Sequence, residues 1–145
     1  MPVQLDVWRI DEGAPKKVAF DAVSDEAKLE SVLEKGTEIL GLDLLVVGRQ
    51  VPTAFGKIID LLCIDGEGDL HIIELKRDKT PRDIVGQVLD YASWVRGLGY
   101  DDVVEMFSAH SPVVRFEEAF DERFGVSVPE AVNENHHMVI VAGRT

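Results

Sequence analysis

The segment GKIIDLLCIDGEGDLHIIELKRD, from Gly56 to Asp78, constrains this chain more than any other, because two Ile- and Leu-rich runs flank a short turn sequence. Residues 57–64 and 69–76 have the composition of strands, and Asp65-Gly66-Glu67-Gly68 between them reads as a β-hairpin with a glycine-containing loop of three residues. Pairing Asp65 with Asp69 sets Leu61 opposite Ile73, Leu62 opposite Ile72, Ile64 opposite Leu70 and Ile59 opposite Leu75, so apolar residues meet on both faces. Cys63 with His71 is the one mixed pair. The same register sets Asp60 opposite Glu74. A slip of one residue would send these two acids to opposite faces, because side chains along a strand alternate with period two. By the same alternation Glu74 and Lys76 share a face, so Asp60, Glu74 and Lys76 converge at one end of the hairpin.

Charges on a strand whose neighbours are Ile72, Ile73 and Leu75 are not ordinary solvated charges. Burying them is costly unless they are paired or bound to a metal. Asp60 and Glu74 suit a hard divalent cation through oxygen, and the Leu75 backbone carbonyl is a candidate third ligand. Lys76 would orient or help deprotonate a water and offset charge on a phosphate. A plain salt bridge from Lys76 to Asp60 or Glu74 is the competing reading of the triple.

The flanking segments bear on that choice. Ser24 is placed to cap a helix whose first turn carries Asp25 and Glu26, and Gly36 is placed to end it. After the hairpin, Thr80 suits an N-cap and Pro81 the first position of a second helix, PRDIVGQVLDYASWV. Gln87 and Tyr91 lie four residues apart on one face of it, beside an apolar stripe of Ile84, Val88 and Val95. With its blocks LEKGTEILGLDLLVVGRQV, IDLLCID and IIELKRDKTPRDIVGQVLDYASWV, the chain from about Leu29 to Val95 resembles the PD-(D/E)xK nuclease superfamily, in particular a bacterial branch related to the catalytic domain of the NucS endonucleases.

That resemblance implies an α/β fold with a restriction-endonuclease-like core, a mixed central β-sheet flanked by helices. It implies Asp60 as the central acid, Glu74 with Lys76 as the (D/E)xK element, and Glu30 as the first-helix acid, joining the metal directly or through water. Glu34 and Glu38 compete with Glu30 for that role. Gln87 matches the glutamine that some branches place near the metal or the phosphate, and Tyr91 is expected to contact nucleic acid or to support Gln87, with core packing as the alternative. The implied cofactor is Mg²⁺ or Mn²⁺. Where the superfamily name has proline before the central acid, this chain has Ile59.

Composition sets the remaining bounds. A length of 145 residues with 46% hydrophobic content supports one core and a single domain over 1–145. Within it we expect a small N-terminal β-hairpin over 1–22, the core motif region over about 24–96, and helical segments with a final strand over 97–145. Val3, Leu5 and Val7 alternate before the turn residues 11–15, 43–51 reads as a strand, and Gly97-Leu98-Gly99 as a break. Helical segments are expected near 101–108 and 116–124, followed by the strand MVIVAGRT. Ending on a strand suggests either a truncated chain or one completed as a homodimer. No apolar run approaches the ~20 residues of a membrane span, and the N-terminus lacks a signal-peptide pattern; a cytosolic protein is expected.

One cysteine and four histidines argue against a structural zinc site. Cys63 reads as a small core residue. Asn133, Asn135, His136 and His137 invite a metal or catalytic reading, but adjacent histidines on an extended segment face opposite ways. The net charge of −12 opposes nucleic-acid binding. A local cluster of Lys76, Arg77, Lys79 and Arg82 softens that objection, although Asp78 and Asp83 are interleaved with it. Three functions follow in order: a Mg²⁺- or Mn²⁺-dependent endonuclease cleaving DNA, with RNA as a lesser candidate; a non-catalytic nucleic-acid-binding or assembly module with a nuclease fold; and an acidic interaction domain.

Overall fold

The structure is a computed structural model that describes residues 3–11, 14–23, 43–54, 56–77, 90–91 and 93–144. Six strands are present: β1 (Val3–Asp11), β2 (Ala14–Val23), β3 (Leu45–Pro52), β4 (Ile58–Ile64), β5 (Leu70–Arg77) and β6 (His136–Arg144). They form one mixed sheet in the order β2-β1-β6-β5-β4-β3. Neighbours run antiparallel except β5 and β6, which are parallel. A parallel pair needs a crossover, and between β5 and β6 the chain contains helical residues at 90–91 and 93–95, then α1 (Tyr100–His110) and α2 (Phe116–Phe124).

The β3-β4-β5 meander forms because its residues satisfy both faces of a buried sheet. On one face Leu62, Ile64, Leu70 and Ile72 join a core that includes Tyr91, Val95, Val103, Phe107, Phe116 and Phe120. Leu61, Cys63 and Ile73 alternate with them and are also fully buried. This explains why both strands read as almost continuous apolar runs. The helices contribute aromatic rings at one-turn spacing: Phe116 meets Phe107 edge-on at 5.6 Å between centroids and Phe120 at 6.0 Å. Burial of each such ring contributes on the order of 1.5–3 kcal/mol.

Local sequence also sets the helix ends. The Asp102 carboxylate accepts the Gly99 N–H at 2.8 Å, closing the start of α1. At the end of α2, Gly125 takes a left-handed conformation with φ 72° and donates its N–H to Asp121 O at 2.8 Å. Among the described residues no helix is long and apolar enough to cross a membrane.

Several expectations agree with this architecture: the strand over 43–51, the hairpin strands, the break at 97–99, the two later helices and the last strand. That last strand lies between β5 and β1, so it is not an edge of the sheet. The helix expected from Ser24 and most of the helix expected from Pro81 lie outside the described residues.

Candidate functional site

The geometry of the site begins at the hairpin turn. Asp65 N–H donates to Asp69 O at 3.0 Å and Gly68 N–H to Asp65 O at 3.1 Å, with Gly68 in a left-handed conformation at φ 89°. This is a three-residue loop closed by glycine. The register that follows pairs Ile64 with Leu70, Cys63 with His71, Leu62 with Ile72 and Leu61 with Ile73, in agreement with the sequence pattern. The next position along the ladder brings Asp60 beside Glu74, and the Asp60 backbone N–H donates to Glu74 Oε1 at 3.1 Å. Glu74 is 1% exposed, whereas Asp60 is half-buried.

Neighbouring elements hold this end of the hairpin. Tyr91, in the helical stretch after β5, donates its hydroxyl to Ile58 O at 3.1 Å, two residues before Asp60. Lys57 and Asp90 approach at 3.5 Å across the same contact. On the other side of β4, the pairs Arg49↔Leu61 and Val51↔Ile59 set Gln50 opposite Asp60. Gln50 has φ 53°, a left-handed conformation that costs a non-glycine residue energy. It also lines an open groove of ≈ 410 Å³ between β3 and the end of α1, together with Arg49 and His110.

Glu74 is buried and Asp60 half-buried at neighbouring positions of the ladder, and carboxylate oxygens are the donors that a hard divalent cation takes. Leu75 and Lys76 continue β5 beyond Glu74, opposite Val141 and Ala142 of β6, so the Leu75 backbone is in place. Arg77 ends the strand. Glu30, Glu34, Glu38, Lys79, Arg82 and Gln87 lie outside the described residues.

Of the alternatives for Tyr91, burial favours core packing over contact with nucleic acid: it is 1% exposed and belongs to the core. Its ring packs against sheet residues and its hydroxyl is used on Ile58, so its place is that of a positioning residue for β4. Asn133 is structural as well: its Nδ2 donates to Val95 O at 2.7 Å and to Leu98 O at 3.1 Å, covering the carbonyls at the end of the helical stretch. Cys63 is buried, and burial pushes its thiol up to about 12, with the charge of Arg123 pulling weakly the other way.

A second polar cluster escaped the sequence reading. At the turn end of the hairpin, His71 Nε2 meets Asp65 Oδ2 at 2.8 Å, and the His71 and His137 rings stack at 4.6 Å. The signal in sequence was the mixed pair Cys63 and His71. What hid its meaning was the parallel pairing of β5 with β6, which makes His71 and His137 register partners.

Comparison with known proteins returned no match among curated proteins and none among solved structures. At the level of families, residues 25–123 match the endonuclease NucS C-terminal domain. That stretch holds the whole β4–β5 hairpin and more than half of the chain, and the protein therefore belongs to the NucS C-terminal domain family.

Proposed function

We propose that this chain is a divalent-metal-dependent endonuclease domain that hydrolyses DNA phosphodiesters at the open end of the β4–β5 hairpin. The observation that carries the reading is the approach of Asp60 and Glu74, with the buried Glu74 carboxylate fixed by the Asp60 backbone N–H. Membership of an endonuclease family supports it. So does the order of the elements, an antiparallel β3-β4-β5 meander followed by helices and a strand parallel to β5. We read this as a restriction-endonuclease-like core within a single domain, preceded by an N-terminal hairpin.

In this mechanism Asp60, Glu74 and the Leu75 carbonyl would hold Mg²⁺ or Mn²⁺, and Glu30 would join directly or through water. The bound ion supplies polarisation of a phosphoryl oxygen and a lower pKa for the attacking water. Lys76 offsets charge on the phosphate and orients the water, while Gln87 positions the same phosphate through its amide. Tyr91 holds the Ile58 carbonyl and thereby the height of Asp60 in the sheet. Arg77, Lys79 and Arg82 receive the nucleic-acid backbone near the end of β5. The groove beside Gln50 extends that path along β3, with Arg49 and His110 on its walls. The substrate is DNA in preference to RNA, and the setting cytosolic.

The net charge of −12 favours a second reading, a nucleic-acid-binding or assembly module without turnover. Metal titration separates the two. Wild type and Asp60→Ala are titrated with Mn²⁺ and Mg²⁺ by calorimetry, then incubated with labelled duplex and single-stranded DNA. Cleavage and metal binding that both vanish in the variant support the nuclease. Asp60-dependent metal binding with DNA affinity but no cleavage supports the module, and a wild type that binds no metal removes the proposed site.

A further inference from the structure

At the opposite end of the hairpin from Asp60 and Glu74, three elements bring nitrogen and oxygen donors together. Asp65 follows β4, His71 is the second residue of β5 and His137 the second of β6. One potential ligand atom from each lies within 4.8 Å of the other two. We propose that Asp65, His71 and His137 form a second metal site for a borderline divalent transition ion of the zinc class, separate from any ion at the hairpin's open end.

Preorganisation is the first argument. Asp65 Oδ1 accepts the N–H groups of Glu67 at 2.9 Å and Asp69 at 3.0 Å, which locks the carboxylate and directs Oδ2 at His71 Nε2, 2.8 Å away. His71 and His137 are direct partners in the parallel ladder, so their Cα positions are fixed by backbone hydrogen bonds. Around tetrahedral zinc, with bonds of ~2.0–2.2 Å, ligand atoms stand about 3.4 Å apart. The Asp65–His71 pair, at 2.8 Å, would exchange its hydrogen bond for the ion and open by about 0.6 Å. His137, whose side chain is 25% exposed, would close by at most about 1.4 Å from the 4.8 Å bound.

Charge is the second. A second carboxylate, Asp69, is 6% exposed, lies 3.5 Å from His137 Nε2 and accepts the Asn135 N–H at 3.3 Å. Asp65 and Asp69 thus bring two carboxylates to a mostly buried cluster, and one divalent ion matches their charge. Asp69 is then the outer partner that orients the ligating His137. The ligand types, two imidazoles and one carboxylate, select a transition ion over Mg²⁺ or Ca²⁺. Solvent provides the fourth position.

The test uses the full chain stripped with a chelator and titrated with Zn²⁺ and Co²⁺ by calorimetry and visible absorption. We expect a tight Zn²⁺ site in the wild type that is weakened at least about 100-fold in His137→Asn, since losing even an outer partner of a metal ligand costs 10–100-fold. Asp65→Asn, which keeps the turn's acceptor, should behave like His137→Asn. Long-range proton–nitrogen spectra of the unsubstituted protein should show the His71 and His137 ring nitrogens shifting together on Zn²⁺ addition. Unchanged ring signals, or equal Zn²⁺ affinity in wild type and His137→Asn, would overturn the site.

Discussion

Glu74 serves two demands with one side chain, accepting the Asp60 N–H and presenting a carboxylate beside Asp60. Glu74→Gln keeps an acceptor of the same shape while removing the charge. We expect it to melt within a few degrees of wild type and to lose at least about 100-fold in Mn²⁺-dependent cleavage, since removing a direct ligand should exceed the loss for an outer partner. Cleavage at wild-type rate would contradict the assignment. Tyr91→Phe removes the hydroxyl held by Ile58 O and should cost about 0.5–1.5 kcal/mol in a denaturant titration. At Asp65, burial pushes the carboxyl upward, but the His71 hydrogen bond, the Asp69 N–H, the His71 charge and the Glu67 N–H outweigh it and hold the group below its usual value. A carboxyl lowered in the folded state contributes stability above its unfolded pKa, about 3.9, and loses it as pH falls through the folded value. Urea midpoints of the metal-free protein should therefore decline below about pH 4, and Asp65→Asn should flatten that decline. At this scale the neighbouring positions of Asp60 and Glu74 were legible in the sequence because the register depends on local pairing alone. The sequence did not reveal Asp65 with His71 and His137, because their meeting depends on a strand pair far apart in the chain.

Elements are joined by a few specific backbone contacts. The hairpin turn is held by the segment leading into β6, where Asn133 N–H donates to Gly68 O at 2.7 Å. A Cβ on Gly68 would come within 3.3 Å of Pro129 Cγ and 3.4 Å of Ala131 O, at φ 89°. Gly68→Ala should destabilise by about 1–2 kcal/mol, the ordinary cost of a left-handed alanine, with the tight contacts adding to it. Asn133→Ala removes the side-chain donor to Leu98 O and one of two donors to Val95 O, and should cost roughly 1–3 kcal/mol, read from chemical denaturation. The strands and later helices were legible because apolar runs, turn glycines and breaks mark them locally. The bulge near Val47 and the left-handed Gln50 were not, since nothing in LVVGRQVP distinguishes a bulged strand from a regular one.

For the molecule as a whole, Cys63 offers a probe of global opening. Its thiol, fully buried and pushed up to about 12, should resist alkylation at neutral pH and react only at the rate of unfolding. Rapid modification of the native protein would show that the sheet's centre opens locally. The sequence made a mixed sheet expected through a resemblance, but strand order is a long-range property that periodicity does not encode. Here that order has a kinetic consequence. Among the described strands, β6 lies between the β1–β2 pair and the β3–β5 meander, through partners such as Gln4↔Arg144 and Ile72↔Met138. The meander can assemble early from local contacts, whereas uniting the two halves requires closing nearly the full length of the chain, a slow kind of step. Refolding should thus proceed from the hairpin outward, with the last strand acting as the keystone that arrives when everything else is already waiting.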